Sequence, residues 1–598
     1  MQTLKKLLFL LSANEKKRAG LLLIMILILS FLDMIGVASI MPFIAVLTNP
    51  SLLETNYFLK YMFQVSSIFG VETSEEFMFF SGVLLFFILI FTLIFRAIVT
   101  YLQLRFIFLL EHSICRRLVE AYLHQPYSWF LNRHSADLGK SILSETGKIA
   151  GKGLGNLMDL IAKSTVTIAI IVLLIIVDPK LALIVGLSLS ITYVLIYYSF
   201  SKYLKKIGKD SLKNNQLRFT AVSEAFGAVK EIKVGGLEQT YINNFSISSK
   251  IFALTQAYVS SIAALPRFFL ECVGFGGVLL IILYSMSDTG SFNNALPIIS
   301  VYVFAGYRLL PALQKMYSCF TEITFVVPSL DELNNDLRIL QDSEKIQDQS
   351  NLAFNKTITL KNIDYNYPNS SIKALKDVSI NVPINSTVGL VGATGSGKTT
   401  LIDIILGLLE PRNGSLEVDG KLITKLNTKS WQRCIGFVPQ HIYLSDDTVA
   451  ANIAFGIDHK DIDQQAVERA SKLASLHEFI INEMPKQYQT TIGERGIRLS
   501  GGQRQRIGIA RALYHYPKVL IFDEATSALD GTTEKIVMDS INNLRQDVTI
   551  IIIAHRLSTV KRCDKIYVLD KGKLKAQGNF DELVILDSQF RENVKNSF

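Results

Sequence analysis

The stretch Gly392-Ala393-Thr394-Gly395-Ser396-Gly397-Lys398-Thr399 decides the fold of the second half of this chain. Apolar residues 388–391 before it predict a buried strand, and residues 400–409 after it predict a helix. In that context the glycines turn backbone N–H groups toward phosphate oxygens, Lys398 supplies a positive charge, and Thr399 offers a hydroxyl to Mg²⁺. The predicted phosphate-binding residues are Gly392, Thr394, Gly395, Ser396, Gly397, Lys398, Thr399 and Thr400.

The first half of the chain is apolar enough to cross a membrane. Of all 598 residues, 49% are hydrophobic, and the mean hydropathy is +0.32, which is high for a water-soluble enzyme. Six long apolar stretches reach the roughly 20 residues that a bilayer requires, and several exceed it. They cover about residues 20–47, 77–104, 157–177, 181–200, 266–286 and 297–320. We therefore predict a bundle of six membrane-spanning helices.

Lysine and arginine residues predict the orientation of these spans. They are abundant before the first span and after the second and fourth spans, whereas glutamates dominate after the first span and residues 287–294 contain no basic residue. Basic connections face the cytosol, which places the phosphate motif in the cytosol. The formal net charge of +9 therefore reflects topology, and we expect no nucleic-acid partner. The five cysteines show no metal-binding spacing.

Composition divides the chain into three predicted segments. Residues 1–328 form a transmembrane domain whose helices extend into the cytosol, and the polar residues 329–355 form a linker. Residues 356–598 alternate short apolar strands with helical patterns, as an α/β nucleotide-binding domain does. The predicted fold class is a membrane α-helical bundle followed by an α/β P-loop ATPase domain.

Two further motifs complete a predicted ATPase. Residues 519–524 form an apolar strand that ends in Asp523, which can hold Mg²⁺, and Glu524, which can polarise an attacking water. The sequence Leu499-Ser500-Gly501-Gly502-Gln503 opens a helix, and N–H groups at a helix start can bind a γ-phosphate. With these motifs the chain resembles the ATP-binding cassette (ABC) family over essentially its whole length. Its order is that of an exporter-type (type IV) half-transporter, with six spans before one cassette.

The resemblance implies roles for residues that the motifs alone do not assign. Tyr367 matches the aromatic residue that stacks on adenine, Gln440 the residue that links Mg²⁺ and γ-phosphate to the membrane domain, and His555 the γ-phosphate switch. Residues 527–530 match the D-loop, and residues 493–496 resemble the exporter segment that touches the cytosolic helices.

The family also implies cofactors and a partner chain. ATP and Mg²⁺ are the implied cofactors, and the signature of one cassette closes on the phosphate loop of another. One cassette per chain thus implies a dimer, and a complete set of catalytic residues favours a homodimer, with a heterodimer left open. The implied catalytic residues are Glu524, His555 and Gln440, the metal ligands are Thr399, Gln440 and Asp523, and the signature residues that bind nucleotide are Ser500, Gly501, Gly502 and Gln503.

Three arginines lie within apolar sequence: Arg96, Arg267 and Arg308, on the second, fifth and sixth predicted spans. A charge inside a bilayer costs at least a few kcal/mol unless it is paired or binds a ligand. Arginine binds phosphate oxygens in bidentate fashion, so three around one cavity would suit a phosphate or pyrophosphate head group. Internal pairing, or a position at the interface, would also account for these charges. Arg267 could pair with Glu271 along one helix face, Arg96 could extend to the membrane interface, and Asp33 could neutralise any of the three.

Residues 41–44, 264–267 and 307–311 resemble segments of the bacterial lipid-linked oligosaccharide flippases of N-linked protein glycosylation. This resemblance implies ATP-driven movement of an undecaprenyl-pyrophosphate-linked glycan to the outer leaflet of a bacterial inner (plasma) membrane. It places Arg96, Arg267 and Arg308 at the substrate, together with an amphipathic outer helix over residues 53–69 that helical spacing also predicts. Two alternatives are a general lipid or multidrug exporter with a nonspecific apolar cavity, and an ATP-gated channel or sensor.

Overall fold

The structure is a computed structural model that divides into two compact units. The first unit comprises Met1–Gln125 and Asn132–Ser343, and the second comprises Pro126–Leu131 and Glu344–Phe598. The described residues are 2–39, 43, 46–47, 53, 57–177, 179–289, 292–341, 352, 354–368, 370–493, 496–524, 531–542, 547–554 and 557–597. A helical unit followed by an α/β unit is the predicted fold class, which is confirmed.

Helices form the regular structure of the first unit in its described residues. They are numbered here in chain order, with α5 belonging to the second unit. They are α1 (Gln2–Phe9), α2 (Ala13–Ala38), α3 (Tyr57–Ser66), α4 (Ser74–Leu123), α5 (Tyr127–Phe130), α6 (Ser135–Lys140), α7 (Thr146–Lys148), α8 (Asn156–Val177), α9 (Pro179–Gly227), α10 (Val229–Gly235), α11 (Glu238–Thr289) and α12 (Phe292–Gln341). Two π-helical turns, Ser141–Glu145 and Ile149–Gly155, flank α7. Helix α12 continues into the segment predicted as a linker.

Several of these helices are long and apolar enough to cross a membrane. Among the described residues, the segments with sufficient length and hydropathy are Ala13–Gly36, Ser74–Leu123 and Ser135–Ile176. The remaining three predicted spans lie on α9, α11 and α12, which have 49, 52 and 50 residues. A helix of 50 residues is about 75 Å long, whereas the hydrocarbon core is about 30 Å thick. These helices are long enough to continue beyond a bilayer, so the extension into the cytosol stays a prediction.

A short helix, α3, lies where the sequence predicts an outer amphipathic helix. Gly70 ends this segment with φ of 83°, a left-handed conformation that favours glycine. The exposed side chains include Tyr57, Tyr61 and Val65. Phe63 instead packs edge-on against Phe77 of α4, with ring centroids 5.6 Å apart. The helix therefore packs one aromatic side chain against α4 and holds others outside the protein core.

The second unit contains the strands and the remaining helices. Its strands are β1 (Thr357–Tyr365), β2 (Leu375–Pro383), β3 (Thr387–Gly392), β4 (Asn413–Val418), β5 (Lys421–Leu422), β6 (Ile435–Val438), β7 (Val519–Asp523), β8 (Thr549–Ile553), β9 (Lys565–Asp570) and β10 (Lys573–Gly578). Its other helices are α13 (Lys398–Ile405), α14 (Thr428–Gln432), α15 (Val449–Ile453), α16 (Gln464–Leu473), α17 (His477–Glu483), α18 (Gly501–Leu513), α19 (Gly531–Asn542), α20 (Leu557–Val560), α21 (Phe580–Leu586) and α22 (Ser588–Ser597).

Two sheets organise this unit. The antiparallel sheet has the order β2-β1-β4-β5, and the larger sheet has the order β10-β9-β3-β8-β7-β6. In the larger sheet β9, β3, β8, β7 and β6 are parallel to one another, and β10 pairs antiparallel with β9. Strands β7 and β8 are buried along their whole length, which explains their unbroken apolar sequences. Parallel pairing brings the carboxyl ends of β3, β7 and β6 to one edge.

Candidate functional site

The phosphate loop connects the end of β3 to the start of α13. Gly395 and Gly397 have φ of 78° and 101°, in the left-handed region that other residues rarely adopt. A Cβ added to Gly397 would lie 2.8 Å from the carbonyl oxygen of Ala374, so this position also lacks space for a side chain. Backbone turns of this kind present successive N–H groups to an anion, as the sequence predicts.

Lys398 lies buried at the start of α13 with its ammonium group folded against the loop. Its Nζ donates to the carbonyl oxygens of Gly392 at 2.8 Å and Ala393 at 3.0 Å. Burial lowers the pKa of Lys398, and the carboxylates of Glu524 and Asp523 act in the opposite direction. A phosphate would replace two neutral acceptors by a charged one, which forms shorter and stronger hydrogen bonds.

The remaining loop residues also fit a nucleotide with its metal ion. Among the described residues, the buried Oγ of Ser396 has no hydrogen-bond partner, so it can donate to a phosphate oxygen. Thr399 is exposed in the first turn of α13, where its hydroxyl is free to approach Mg²⁺. Thr400 is buried, and its Oγ1 lies 2.9 Å from the hydroxyl of Tyr367. Tyr365 packs edge-on against that tyrosine, which fixes the ring next to the loop.

The two predicted catalytic carboxylates follow β7. Asp523 ends the strand with 9% exposure, and Glu524 has φ of 52°, a left-handed conformation that is strained for glutamate. Gln440 follows β6, the parallel neighbour of β7, and its Nε2 donates to Oε2 of Glu524 at 2.7 Å. The fold thus joins two predicted catalytic residues directly. Strain at Glu524 is consistent with a position selected for chemistry rather than for backbone stability.

Sequence reasoning did not identify Asp403, an acidic residue of α13 near the carboxylates. Burial and then the charge of Asp523 raise the pKa of Asp403 to about 6. Burial, then charge interactions with Asp403 and Tyr367, raise the pKa of Tyr127, which lies on α5. The segment 126–131 of the second unit therefore lies on this side of the nucleotide site. No local pattern marks Asp403, because its environment results from tertiary packing.

The signature residues begin helix α18 as the sequence predicts. Ser500 caps the helix, since its Oγ accepts from the N–H of Gln503 at 3.2 Å and the Gln503 side chain accepts from the Ser500 N–H at 2.8 Å. The first-turn N–H groups of Gly501 and Gly502 have no partner within the helix. Within the part of the chain that the structure describes, no hydrogen bond connects this turn to the phosphate loop. The role of this turn as a γ-phosphate cradle stays a prediction.

Several residues of the implied ATPase lie outside the described residues. These are His555, residues 527–530, and Glu494 and Arg495 of the segment 493–496. Their roles stay predictions. The strand that precedes His555 in the sequence, β8, pairs with β7 as far as Asp523 opposite Ile553.

The three intramembrane arginines all have carboxylate partners in the described structure. Arg96 Nη2 contacts Oδ1 of Asp33, and Arg308 Nη1 lies 3.5 Å from the same oxygen. Arg267 Nε donates to Oε1 of Glu271 at 2.7 Å, one turn further along α11. Asp33 is buried, whereas Arg267 and Glu271 are largely exposed. Both internal pairings that the sequence left open are present, and Asp33 serves two arginines at once.

Lys398→Ala should weaken ATP binding about 10- to 100-fold, because a charge-assisted hydrogen bond is worth roughly 1.5–3 kcal/mol. Lys425→Ala is the matched control, since Lys425 lies in the same unit in an exposed ion pair with Glu410. Equilibrium binding of a fluorescent ATP analogue to the purified full chain measures both variants. An Lys398→Ala affinity equal to that of the wild type would contradict the phosphate-loop assignment.

Comparisons with known families match both halves of the chain. Residues 375–527 match the family described as ABC transporter, and residues 23–305 match the ABC transporter transmembrane region. The described phosphate loop, its carboxylates and the signature helix all lie within or at the end of the first match. Asp33 and Arg96 lie within the second match.

Similar proteins include bacterial flippases and a mitochondrial ATP-binding cassette protein. The chain is 30% identical over 485 residues to an ATP-dependent lipid A-core flippase of Saccharophagus degradans, covering 79% of each chain. It is 31% identical over 477 residues to mouse ATP-binding cassette sub-family B member 10, mitochondrial, covering 78% of this chain and 66% of the mouse protein. The solved structure of a bacterial Atm1-family ABC exporter with ATP bound shares the fold, with a TM-score of 0.79, 22% identity, and coverage of 98% of this chain and 99% of that one. The chain therefore belongs to the ABC transporter family, as an ATP-hydrolysing exporter half-transporter.

Proposed function

We propose that this exporter is an ATP-driven flippase that moves a polyprenyl-pyrophosphate-linked oligosaccharide from the inner to the outer leaflet of a bacterial inner membrane. The observation that carries the proposal is the shared pairing of Arg96 and Arg308 with one buried carboxylate, Asp33. Several bacterial relatives are ATP-dependent lipid A-core flippases, which supports a lipid as the class of cargo.

The charge balance around Asp33 explains why an anionic head group would bind. One carboxylate cannot neutralise two guanidinium groups, so this part of the membrane unit carries excess positive charge. Such charge is costly in a bilayer unless a ligand compensates it. A pyrophosphate group supplies several oxygens in the planar arrangement that guanidinium groups bind best. Arg267, exposed beside Glu271, is the third proposed substrate residue.

The outer helix α3 gives independent support for a lipid cargo. Tyr57 is 89% exposed, and Tyr61 lies one turn further on the same exposed side. Aromatic side chains of this kind favour the boundary between lipid and water. A helix that holds such residues outside the protein can contact the isoprenoid part of a lipid substrate.

The ATPase residues have the roles that the family implies. Glu524 would polarise the attacking water and is held by Gln440, whereas Thr399, Gln440 and Asp523 would hold Mg²⁺ and His555 would bind the γ-phosphate. Because the signature turn of one chain would bind nucleotide held by another, two copies of this chain form the proposed working unit. ATP and Mg²⁺ supply the phosphoryl-transfer chemistry and its charge neutralisation.

A general lipid or multidrug exporter is the second candidate. The observation that favours it is the pairing of Arg267 with Glu271, since a neutralised arginine has less affinity for an anionic head group. On this alternative the intramembrane arginines contribute to stability, and their loss would not change which lipids are moved.

Flipping assays with arginine variants distinguish the two candidates. We expect Arg96→Ala and Arg308→Ala each to lower, about tenfold or more, the amount of fluorescent undecaprenyl-pyrophosphate oligosaccharide flipped per ATP hydrolysed, because each removes a charged contact. Arg267→Ala should have a smaller effect, since Glu271 already occupies that side chain. Proteoliposomes supplied with ATP on the side of the ATPase domain provide the measurement.

The control is Arg562→Ala, which removes an exposed arginine paired with Asp539 in the ATPase unit. It should flip lipid as the wild type does. If the wild-type protein hydrolyses ATP but moves none of this lipid, the proposed cargo is wrong and the general exporter is the better description. If all three intramembrane variants flip this lipid as well as the wild type does, the head-group site is also contradicted.

A further inference from the structure

A second carboxylate, Asp159 on α8, lies in the same polar region of the membrane unit as Asp33. Its Oδ2 accepts from Nζ of Lys315 at 3.0 Å, and its Oδ1 accepts from Nε2 of Gln103 at 2.6 Å. Both oxygens of this carboxylate are therefore engaged. Helix α8 packs between α2 and α12, so residues on its inner face lie close to Asp33 and to Arg308.

Lys163 lies one helical turn after Asp159 and is half-buried. Its charge interacts with those of Arg96, Asp33, Asp159 and Lys315, which places it within this cluster. Among the residues that the structure describes, Lys163 nevertheless forms no ion pair. Asp33 is occupied by two arginines, and Asp159 by Lys315 and Gln103. The lysine is thus a cation in an apolar helix whose neighbouring carboxylates already have other partners.

The cluster has one more cation than carboxylates, and among the described residues Lys163 is its cation without an ion pair. The cluster contains four cations, Arg96, Lys163, Arg308 and Lys315, and three carboxylates, Asp33, Asp159 and Glu322. Glu322 accepts a hydrogen bond from Nδ2 of Asn156 at 2.6 Å and lies near Lys315 rather than near Lys163. An unneutralised lysine in a membrane helix indicates a ligand pathway or ligand site.

We propose that Lys163 is an anion-binding residue that acts with Arg96 and Arg308 on the pyrophosphate of the lipid substrate. This inference rests on the proposed flippase function and deepens it by adding a fourth charged residue to the site. An ammonium group is a compact charge with three rotatable donors, which suits an oxygen-rich ligand that enters in more than one orientation. Arg267 is exposed and bound to Glu271, and it shares no described contact with this cluster.

The test compares Lys163→Met, which keeps length and apolar volume, with Lys163→Arg, which keeps the charge. The control is Lys205→Met, because Lys205 is an exposed lysine on α9 of the same unit. Each full-length variant is reconstituted in nanodiscs, and ATP hydrolysis is followed as undecaprenyl-pyrophosphate oligosaccharide is added. We expect Lys163→Met to raise the half-stimulating lipid concentration about tenfold or more, as loss of a charged hydrogen bond predicts. The half-stimulating lipid concentration of Lys163→Arg should stay within about threefold of the wild-type value, and that of Lys205→Met should equal the wild-type value.

The outcomes separate this inference from the flippase proposal. If the pyrophosphate lipid stimulates the wild type and Lys163→Met equally, Lys163 is not part of the site, whereas the proposed cargo stands. If the wild type responds instead to a phosphorylated glucosamine lipid, and Lys163→Met loses that response, the anion site stands and the proposed cargo is wrong. A response of the wild type only to uncharged lipid overturns both. Should Lys163→Met fail to fold, Lys163→Gln replaces it in the same comparison.

Discussion

Glu524→Gln is expected to lower the rate of ATP hydrolysis about 10²- to 10⁴-fold, the range for loss of a positioned general base. A thousandfold loss corresponds to about 4 kcal/mol of activation free energy. The amide keeps the size of the side chain and can still bond to Gln440, which contacts Glu524 at 2.7 Å in the described structure. ATP binding should therefore remain close to that of the wild type. Steady-state hydrolysis and equilibrium nucleotide binding, measured on the same preparation, test both statements.

Glu410→Gln is the matched control, since Glu410 lies in the same unit and its side chain is exposed beside Lys425. It removes the same charge without touching the site, so its turnover should equal that of the wild type. Undiminished hydrolysis by Glu524→Gln would remove this residue as the base. Asp403, whose pKa is raised to about 6, would then be the next carboxyl group to test.

Local spacing in the sequence was sufficient to predict the phosphate loop and the fold that carries it. A strand that ends in glycines followed by Lys398 specifies a strand-turn-helix, and apolar residues 519–522 before Asp523 specify a buried parallel strand. The carboxyl ends of parallel strands meet at one edge of a sheet, so the sequence predicts that Lys398 and Asp523 lie near each other. The direct bond between Gln440 and Glu524 depended on the strand order, with β6 next to β7, which spacing does not encode.

For the charged side chains within the predicted spans, the sequence could offer only alternative ion-pair partners. Asp33 and Arg96 are 63 residues apart on different helices, and helix rotation decides which side chains meet. The Arg267–Glu271 pair was predictable as an option, because residues four apart share one helix face. Like the three arginines, Lys163 is a charged residue inside a predicted span, here residues 157–177. Its significance appears only once the partners of Asp33 and Asp159 are known.

Asp33→Asn is expected to destabilise the membrane unit by about 3–5 kcal/mol, the range for a buried ion pair that loses one partner. The substitution keeps the shape of the side chain but leaves Arg96 and Arg308 without their shared carboxylate. The thermal unfolding midpoint in detergent should fall accordingly. Glu238→Gln is the control, because the exposed ion pair between Glu238 and Lys233 should contribute at most about 1 kcal/mol. A midpoint equal to that of the wild type would contradict the shared pairing.

Removing one of the two cations should recover part of the loss. In the double variant Asp33→Asn with Arg308→Met, a single guanidinium group remains unneutralised, so the double variant should be more stable than the sum of its single changes predicts. An anionic ligand should act in the same direction. Adding the pyrophosphate lipid should raise the unfolding midpoint of Asp33→Asn more than that of the wild type, since binding stabilises by RT ln(1 + [L]/Kd) and the variant site carries more positive charge. Equal stabilisation of the two proteins would show that the lipid binds away from Arg96 and Arg308.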